Sequence, residues 1–596
     1  MSERKPLLGV DQSVSQRAWR DRLDIEGAAQ AMALAQGHGL SDILARVLVG
    51  RGVTMETVED WLDPSLRNLM PDPDVLTDMQ PAVARLAQAA QKGETVAVFG
   101  DYDVDGATAT ALLANFLNAC GCNTIIHIPD RIFEGYGPNS DAIASLHARG
   151  ATLLVTVDCG TTSFEPLAAA RLLGLDAIVL DHHQAPEVLP EAVAIVNPNR
   201  QDDLSQLGYL CAAGVVFMTL VGLNRALRDS GFWTAQYPAP ALLSDLDLVA
   251  LGTVADVVPL IGLNRAFVTR GLQVMKARGR IGLTALMDAA GAHGPARPYH
   301  LGFLVGPRIN AGGRIGDAAL GARLLMTDDP VEAGRVAAEL DRLNRERQAI
   351  EVATLEEADA MASQCGDEAV LMVGSDAWHP GVVGLVASRL KDRYRRPAFA
   401  ISFTGDIGTG SGRSIAGVDL GRAVRAAVET GLLVKGGGHA MAAGLTVERG
   451  KLESLRAYLS EALGADVTRA RAEEALRIDG MLTATAAQAA LVKDVERAGP
   501  FGTGNSEPIF AFADQRMIDV GEVGQGHIRV RTIGLDGGRL QAIAFRAAAS
   551  PLGQALLAGR GTAMHLAGTL SIDHWGGQER VQLRILDAAP AGRRQA

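Results

Sequence analysis

The segment Gly100-Asp-Tyr-Asp-Val-Asp-Gly106 sets three carboxylates, Asp101, Asp103 and Asp105, at alternating positions directly after an apolar run. Carboxylates this close repel one another strongly at low dielectric, so a cation must compensate them. The twelve-residue loop and closing glutamate of an EF-hand are missing, which excludes a calcium loop of that kind. Further along, Asp158 ends Leu-Leu-Val-Thr-Val-Asp, and Asp181-His182-His183 follows Ala177-Ile-Val-Leu180. Oxygen ligands with one imidazole suit manganese or magnesium, not a structural zinc closed by thiolates. Neighbouring histidines on an extended segment face opposite ways, so one can meet metal while the other meets substrate. Asp256 stands alone in the apolar Gly252-Thr-Val-Ala-Asp-Val-Val-Pro259, where a buried carboxylate calls for a cation partner.

Basic residues supply the second half of the chemistry. From Ala289 to Gly316 no acid occurs, while Arg297, Arg308 and Arg314 do. An acid-free Gly/Arg loop in an acidic chain is a candidate phosphate grip, because guanidinium binds phosphate through two parallel hydrogen bonds. Arg131 follows an expected strand and can reach the same cleft. Gly408-Thr-Gly-Ser-Gly-Arg-Ser414 and Gly436-Gly-Gly-His-Ala440 read as glycine loops that let backbone N–H groups approach an anion. Arg389 to Arg396 is a basic helix end that reads equally well as a solvated face.

The elements that must hold these groups are legible as short apolar strands alternating with helices: Val96–Phe99, Thr124–Ile128, Leu153–Val157, Ala177–Leu180 and Val193–Val196. Runs of this kind predict a parallel sheet covered on both faces, with functional groups beyond the strand C-termini, where the acids stand. Before it, residues 1–80 read as a helical N-terminal segment. Gly and Pro are absent from Arg335 to Cys365, where apolar residues recur at helical spacing; this predicts one connecting helix roughly 45 Å long at about 1.5 Å per residue. A second α/β lobe follows, with strands Ala369–Val373 and Ala398–Ser402 around a helix from Gly381 to Arg393. From about 470, Ile528–Ile533 with Leu540–Phe545 and Leu566–Ile572 with Val581–Ile585 predict two hairpins of a small OB-like β-barrel. The expected division is 1–80, 81–330, 331–365, 366–465 and 470–590.

In order and spacing, GDYDVDG, VTVDCG, DHH and GTVADVVPL resemble the four motifs of the DHH phosphoesterase superfamily over about residues 80 to 260. GPRINAGGR, HPGVVGLVASRL, GSGRS, GGGHAMAAG and PFGTGN are similar to segments of its RecJ-like branch, with its DHH-associated second lobe. That resemblance implies two divalent ions, manganese or magnesium. Asp101, Asp103 and Asp158 would hold one and Asp105, Asp158, His182 and Asp256 the other, with Asp158 bridging; many members carry His at the place of Asp101. His183, with Asp181, would be the catalytic pair, donating to a phosphate oxygen or the leaving group, or else bracing His182. Arg131, Arg308, Ser411 and Arg413 would hold a terminal 5′-phosphate, with His439 also on substrate. The implied activity is 5′→3′ hydrolysis of single-stranded DNA to mononucleotides in repair and recombination, with the barrel gripping the strand through charge and rings such as Trp575. Single-strand-binding protein and a helicase are the implied partners.

Composition sets the outer limits. The chain has 596 residues, too many for one core, and a formal charge of −12, a poor match to non-specific coating of duplex DNA. Five scattered cysteines argue for a reducing compartment, and Cys120-x-Cys122 beside His127 reads as buried thiols rather than a metal half-site. Met1 to Arg20 is polar and mixed in charge, unlike a secretory signal. Leu204 to Asn224 is uncharged and long enough for a bilayer, but its glycines and flanks favour a buried helix. A cytoplasmic monomer without a membrane segment is expected. Two other readings stand beside the exonuclease: an oligoribonuclease or cyclic-dinucleotide phosphodiesterase of the same superfamily, and an inactive Cdc45-like replication scaffold, which would have lost metal carboxylates.

Overall fold

The computed structural model describes residues 5–131, 133–573 and 579–592. The chain divides into two compact units: Pro71–Val258 with Phe267–Glu473, and the N-terminal residues to Met70 with Pro259–Ala266 and the segment from Glu474 onward.

The larger unit begins with five apolar strands, Thr95–Phe99, Asn123–His127, Leu153–Val157, Asp176–Leu180 and Ala194–Val196. All pair in parallel, and Thr95–Phe99 lies between Asn123–His127 and Leu153–Val157. Chain order therefore reverses at the first strand, which opens a crevice beyond its C-terminus. Ile143, Leu146, Leu167 and Ala170, from two helices, pack with Ala97, Phe99, Leu154 and Val179 of the strands. The helix Ala212–Asp229 occupies most of the uncharged stretch as a buried element. Among the described residues no helix is long and apolar enough to cross a membrane. Cys120 and Cys122 are buried free thiols, pushed up to about 12 and about 11 by burial.

The connecting helix runs Pro330–Ala362, starting earlier than the sequence suggested. Asp329 accepts the Val331 N–H at 2.8 Å as its cap, and Pro330 opens it at a position where its missing N–H is no loss. Ala333, Val336 and Leu340 are buried near its start, and Ala358 and Ala362 join the core of the second lobe near its end.

Three stretches expected as loops are regular structure. Gly306–Ile315 is a helix, continuous with a wider turn of helix at His300–Val305. Ile407–Arg413 and Lys435–His439, which carry the glycine runs, are strands of a five-stranded sheet with Leu371–Ser375, Ala398–Thr404 and Ala442–Glu448. The reason lies across the ladder. Gly408, Gly410 and Gly412 face Phe403, Ile401 and Phe399, and a Cβ on each would come within 2.6, 2.9 and 2.3 Å of those side chains. Glycine here makes room for the core rather than for an anion.

In the smaller unit, Phe510–Val523, His527–Ile533, Arg539–Ala544, Arg580–Pro590 and Ala563–Asp573 pair in sequence, and the last closes back onto the first. This is a closed five-stranded barrel filled by Phe510, Phe512, Leu540, Leu566 and Leu583. Its longest strand, Phe510–Val523, was not anticipated from sequence. The N-terminal segment joins it through a short strand, Ala18–Asp21, paired in parallel with Ala475–Ile478. Trp575, expected as a stacking ring, lies outside the described residues.

Candidate metal centre

Asp101 follows the first strand, and Asp103 caps the helix Val104–Ala119, accepting the N–H groups of Asp105 and Gly106 at 2.9 and 3.1 Å. Capping commits one oxygen of Asp103 and fixes the direction of the other. Gly106 is required here: a Cβ would fall 2.5 Å from the carbonyl oxygen of Asp101. Asp105 points into the lobe, where its two oxygens accept the Ala212 and Ala213 N–H groups at 2.6 and 2.9 Å. Those donors open the helix Ala212–Asp229, whose positive dipole end favours the carboxylate. Gly252 gives it space, since a Cβ there would lie 2.7 Å from its Oδ1.

Asp158 ends the third strand in the left-handed region, φ 63°, a conformation that aspartate tolerates better than most residues. Its Oδ1 is 3.3 Å from His182 Nε2, which is also 3.6 Å from Asp256 Oδ2 and 3.8 Å from Asp105 Oδ2. Three overlapping groups emerge: Asp101, Asp103 and Asp158; Asp158, His182 and His183; and Asp105, His182 and Asp256. Within each, the candidate ligand atoms lie within 4.8 Å of one another. The six acids and imidazoles singled out from sequence as ligands therefore converge, and Asp158 and His182 are each shared by two groups.

Asp181 stands apart from these groups. Its Oδ1 accepts the His182 N–H, the His183 N–H and the His183 ring at 2.7, 3.2 and 2.8 Å, and its Oδ2 accepts the Thr161 N–H at 3.1 Å. It is a positioning residue for both histidines. Three further braces were missed in the sequence. Asn197 donates to the His183 carbonyl at 2.8 Å and Asn199 to the His182 carbonyl at 2.5 Å, while the Tyr136 hydroxyl donates to the Asp158 carbonyl at 3.0 Å and lies 3.1 Å from His183 Nδ1. The signal was present: Asn197-Pro-Asn199 follows a strand C-terminus as the acids do, but carries no charge.

Burial first, and then neighbouring carboxylates, hold Asp101 and Asp158 well above the ordinary range. The same causes push Asp256 up to about 9. Burial lowers His182, favouring the neutral imidazole that binds metal. Burial opposes charge on His183 too, but its hydrogen bond to Asp181 and the charges of Asp181, Asp101 and Asp103 together outweigh that and the ring is raised. Asp101 Oδ1 and Asp158 Oδ1 are buried with no hydrogen-bond partner. Such atoms are costly unless a cation meets them, and a donor set of carboxylates with imidazole fits manganese or magnesium.

Beside this lies a group of arginines. Arg314 is half-buried and donates to the Gly381 carbonyl at 3.0 Å. Burial, then the charges of Arg131, Arg347 and Arg413, push it down to about 10. Arg413 donates to Ser411 Oγ at 2.8 Å, and a Cβ on Gly384, in the first turn of helix Val383–Tyr394, would lie 3.1 Å from both side chains. Arg131 sits over the Tyr102 ring at 4.9 Å. Arg347, not picked out from sequence, is held by Glu351 and Asn344. Arg308 is placed differently: Asp341 of the connecting helix and the Leu304 carbonyl take its guanidinium at 3.0 and 2.7 Å. His439 is exposed at the end of its strand.

Known proteins resemble this chain in sequence and in fold. The sequence matches the DHH family N-terminal domain over residues 95–253, the DHHA1 domain over 366–465 and the RecJ OB domain over 478–587. It is 37% identical over 521 residues to the single-stranded-DNA-specific exonuclease RecJ of Salmonella typhimurium, covering 85% of this chain and 89% of that one. The chain belongs to the RecJ family. The RecJ of Bacillus subtilis is 33% identical across 94% of this RecJ-family chain and 69% of its own. The crystal structure of RecJ from Thermus thermophilus in complex with Mn2+ superposes with a TM-score of 0.77 at 29% identity, over 95% of this chain and 78% of that one. The Mg2+ complex from the same organism gives 0.72.

Proposed function

We propose that this RecJ-family chain is a metal-dependent exonuclease specific for single-stranded DNA, hydrolysing phosphodiester bonds 5′→3′ and releasing 5′-mononucleotides. One observation carries the reading: within one compact unit, buried carboxylates converge beside arginines of which Arg314 and Arg413 donate only to uncharged acceptors among the described residues. The first group suits two divalent ions, manganese or magnesium, held by Asp101, Asp103, Asp105, Asp158, His182 and Asp256. A pair of such ions supplies charge neutralisation at a phosphate and activation of water.

The protein's own groups divide the remaining work. Asp181 fixes the imidazole of His183, which donates a proton to a phosphate oxygen or to the leaving oxygen. Arg131, Arg314, Arg413 and Ser411 bind the terminal 5′-phosphate, and His439 meets the strand from the second lobe. Arg308 anchors the helix that carries Arg314. Family likeness supports a role in repair and recombination, single-strand-binding protein and a helicase as partners, and a cytoplasmic monomer.

The test uses 5′- and 3′-labelled single-stranded DNA and RNA, with and without manganese, with products sized. Manganese-dependent release of mononucleotides from the 5′ end of DNA is expected. Preference for di- to pentanucleotides would point to the oligonucleotide phosphodiesterases, and inactivity with manganese to a scaffold. The curated relatives above favour neither alternative.

A further inference from the structure

Residues 298–315 form one unbroken helical segment with a widened turn at His300–Val305, a departure from α-helix often found at functional sites. One side of the segment follows the metal centre along its length. A Cβ on Gly313 would lie 2.5 Å from the Tyr102 carbonyl oxygen, one on Gly306 3.4 Å from the Ala255 side chain and 3.7 Å from Val104, and one on Gly302 3.5 Å from Val254. Tyr102, Val104 and Ala255 are the direct chain neighbours of Asp101, Asp103, Asp105 and Asp256. At one end, Arg314 joins the arginine group. At the other stand Tyr299 and Phe303, four residues apart, their rings stacked at 5.2 Å with 23° between planes.

This pair is unusual in its exposure, 57% for Tyr299 and 70% for Phe303, in a chain with only 4% aromatic residues. Packing does not explain it, since the apolar residues the segment buries are Leu301, Val305, Ile309 and Ala311. Among the described residues the Tyr299 hydroxyl has no hydrogen-bond partner. Unpaired bases carry exposed π-faces that stack on such rings irrespective of sequence.

We propose that Tyr299 and Phe303 form a stacking platform for bases of the single strand, on the far side of the metal centre from the arginines. The inference rests on the single-strand reading above and adds an address to it. Eleven residues separate Phe303 from Arg314, about 16 Å along a helix. A strand whose terminal phosphate meets the arginines and whose first linkage meets the carboxylates would continue toward the rings. Those bases belong to the part of the strand not yet cut. The pair thus holds the substrate between cuts and contributes nothing to the linkage itself.

The test replaces both rings in the full-length protein, Tyr299→Ala with Phe303→Ala, and swaps them as Tyr299→Phe with Phe303→Tyr. 5′-Phosphorylated oligodeoxynucleotides carrying 2-aminopurine at successive positions are bound in EDTA, where cleavage cannot interfere. The expected result is fluorescence quenching at one or two internal positions with wild type and the swap, lost in the double alanine variant, with affinity weaker by about 10–100-fold. With manganese, the loss of activity should grow with strand length, severe on long strands and small on a 5′-phosphorylated dinucleotide. Quenching unaltered by the alanines, or an equal loss on dinucleotide and long strand, would overturn the platform. A wild-type protein that quenches but hydrolyses neither substrate would instead overturn the exonuclease reading.

Discussion

His182 Nε2 lies 3.3 Å from Asp158 Oδ1, an oxygen that is buried and accepts no hydrogen bond. The imidazole is pushed toward its neutral form by burial, while burial and four neighbouring aspartates push the carboxyl of Asp158 upward. Neither group gains from the other as an ion pair under these conditions; each is poised as a ligand. Asp158→Asn keeps the shape and removes the charge. Its expected effect on hydrolysis exceeds the ~10–100-fold typical of losing a supporting partner of a metal ligand, and the rise in melting temperature caused by manganese in wild type should vanish. A manganese titration followed by thermal melting checks both, and a variant that retains the manganese-induced shift would remove Asp158 from the ligand set.

The metal-free protein has a pH dependence of definite sign. In the unfolded chain Asp256 loses its proton near its ordinary value of 3.8, whereas in the folded protein burial and then Asp105 hold the proton to about 9. The folded state binds the extra proton across that window, so this group's stabilising contribution is complete below about pH 4 and is lost as pH rises toward 9. In EDTA, denaturant midpoints should therefore fall from mildly acid to alkaline pH, and Asp256→Asn should flatten the trend. Stabilisation by manganese should run the other way, growing with pH as protons cease to compete for the ligands. Parallel pH trends in the variant and wild type would refute the assignment.

Sequence reading reached the catalytic sheet and its acids because parallel strands buried on both faces leave continuous apolar runs, and the groups beyond their C-termini inherit known positions. It was weaker wherever a residue's role depends on a distant partner. Arg308 reads as a phosphate grip because nothing nearby in sequence reveals Asp341, its acceptor on the connecting helix. Gly408, Gly410 and Gly412 read as a loop because their spacing shows what they lack and not the Phe403, Ile401 and Phe399 side chains they accommodate. Asn197 and Asn199 act through backbone carbonyls, so no charge marked them. The strand Ala18–Asp21 pairs with Ala475–Ile478 across most of the chain, a relationship that local periodicity cannot express.

Asn199 and Asp181 offer a way to separate positioning from ligation. Asn199 bonds the His182 carbonyl and the Gly208 carbonyl, while Asp181 bonds the His183 ring. Asn199→Ala should lower manganese affinity by about 10-fold or more through a displaced His182. Asp181→Asn should instead leave manganese affinity closer to wild type and lower kcat, with the alkaline limb of the pH–rate profile moved to lower pH as His183, the proton donor, loses the carboxylate that raises it. Metal titrations and pH–rate profiles on both variants distinguish these outcomes.

Arg314 and Arg308 stand in the same motif and should respond differently. Arg314 lies half-buried near other arginines and donates to one carbonyl, whereas Arg308 is paired with Asp341. A charge-assisted hydrogen bond contributes about 1.5–3 kcal/mol, so Arg314→Gln should weaken binding of 5′-phosphorylated strands by roughly 10–100-fold and narrow their advantage over 5′-hydroxyl strands. Arg308→Gln should lower stability and leave that preference intact. Comparing KM for the two kinds of end, alongside denaturant melts, decides between the roles.

Two glycines make opposite forecasts from the same substitution. Gly106 lies in the first turn of the helix that Asp103 caps, and a Cβ there would lie 2.5 to 2.7 Å from the oxygen, nitrogen and carbon of the Asp101 backbone. Those atoms cannot yield without moving Asp101 itself, so Gly106→Ala should destabilise by about 1–3 kcal/mol, as overpacking does, and weaken manganese binding. Gly334 lies exposed within the connecting helix, with nothing within 4 Å of the added carbon. There alanine relieves the entropy that glycine loses on entering a helix, and Gly334→Ala should stabilise by about 0.5–1 kcal/mol with catalysis unaltered. Denaturant unfolding of the two variants, with manganese titration of the first, tests the pair; a harmless alanine at Gly106 would mean that the acidic loop is not held against the helix as described.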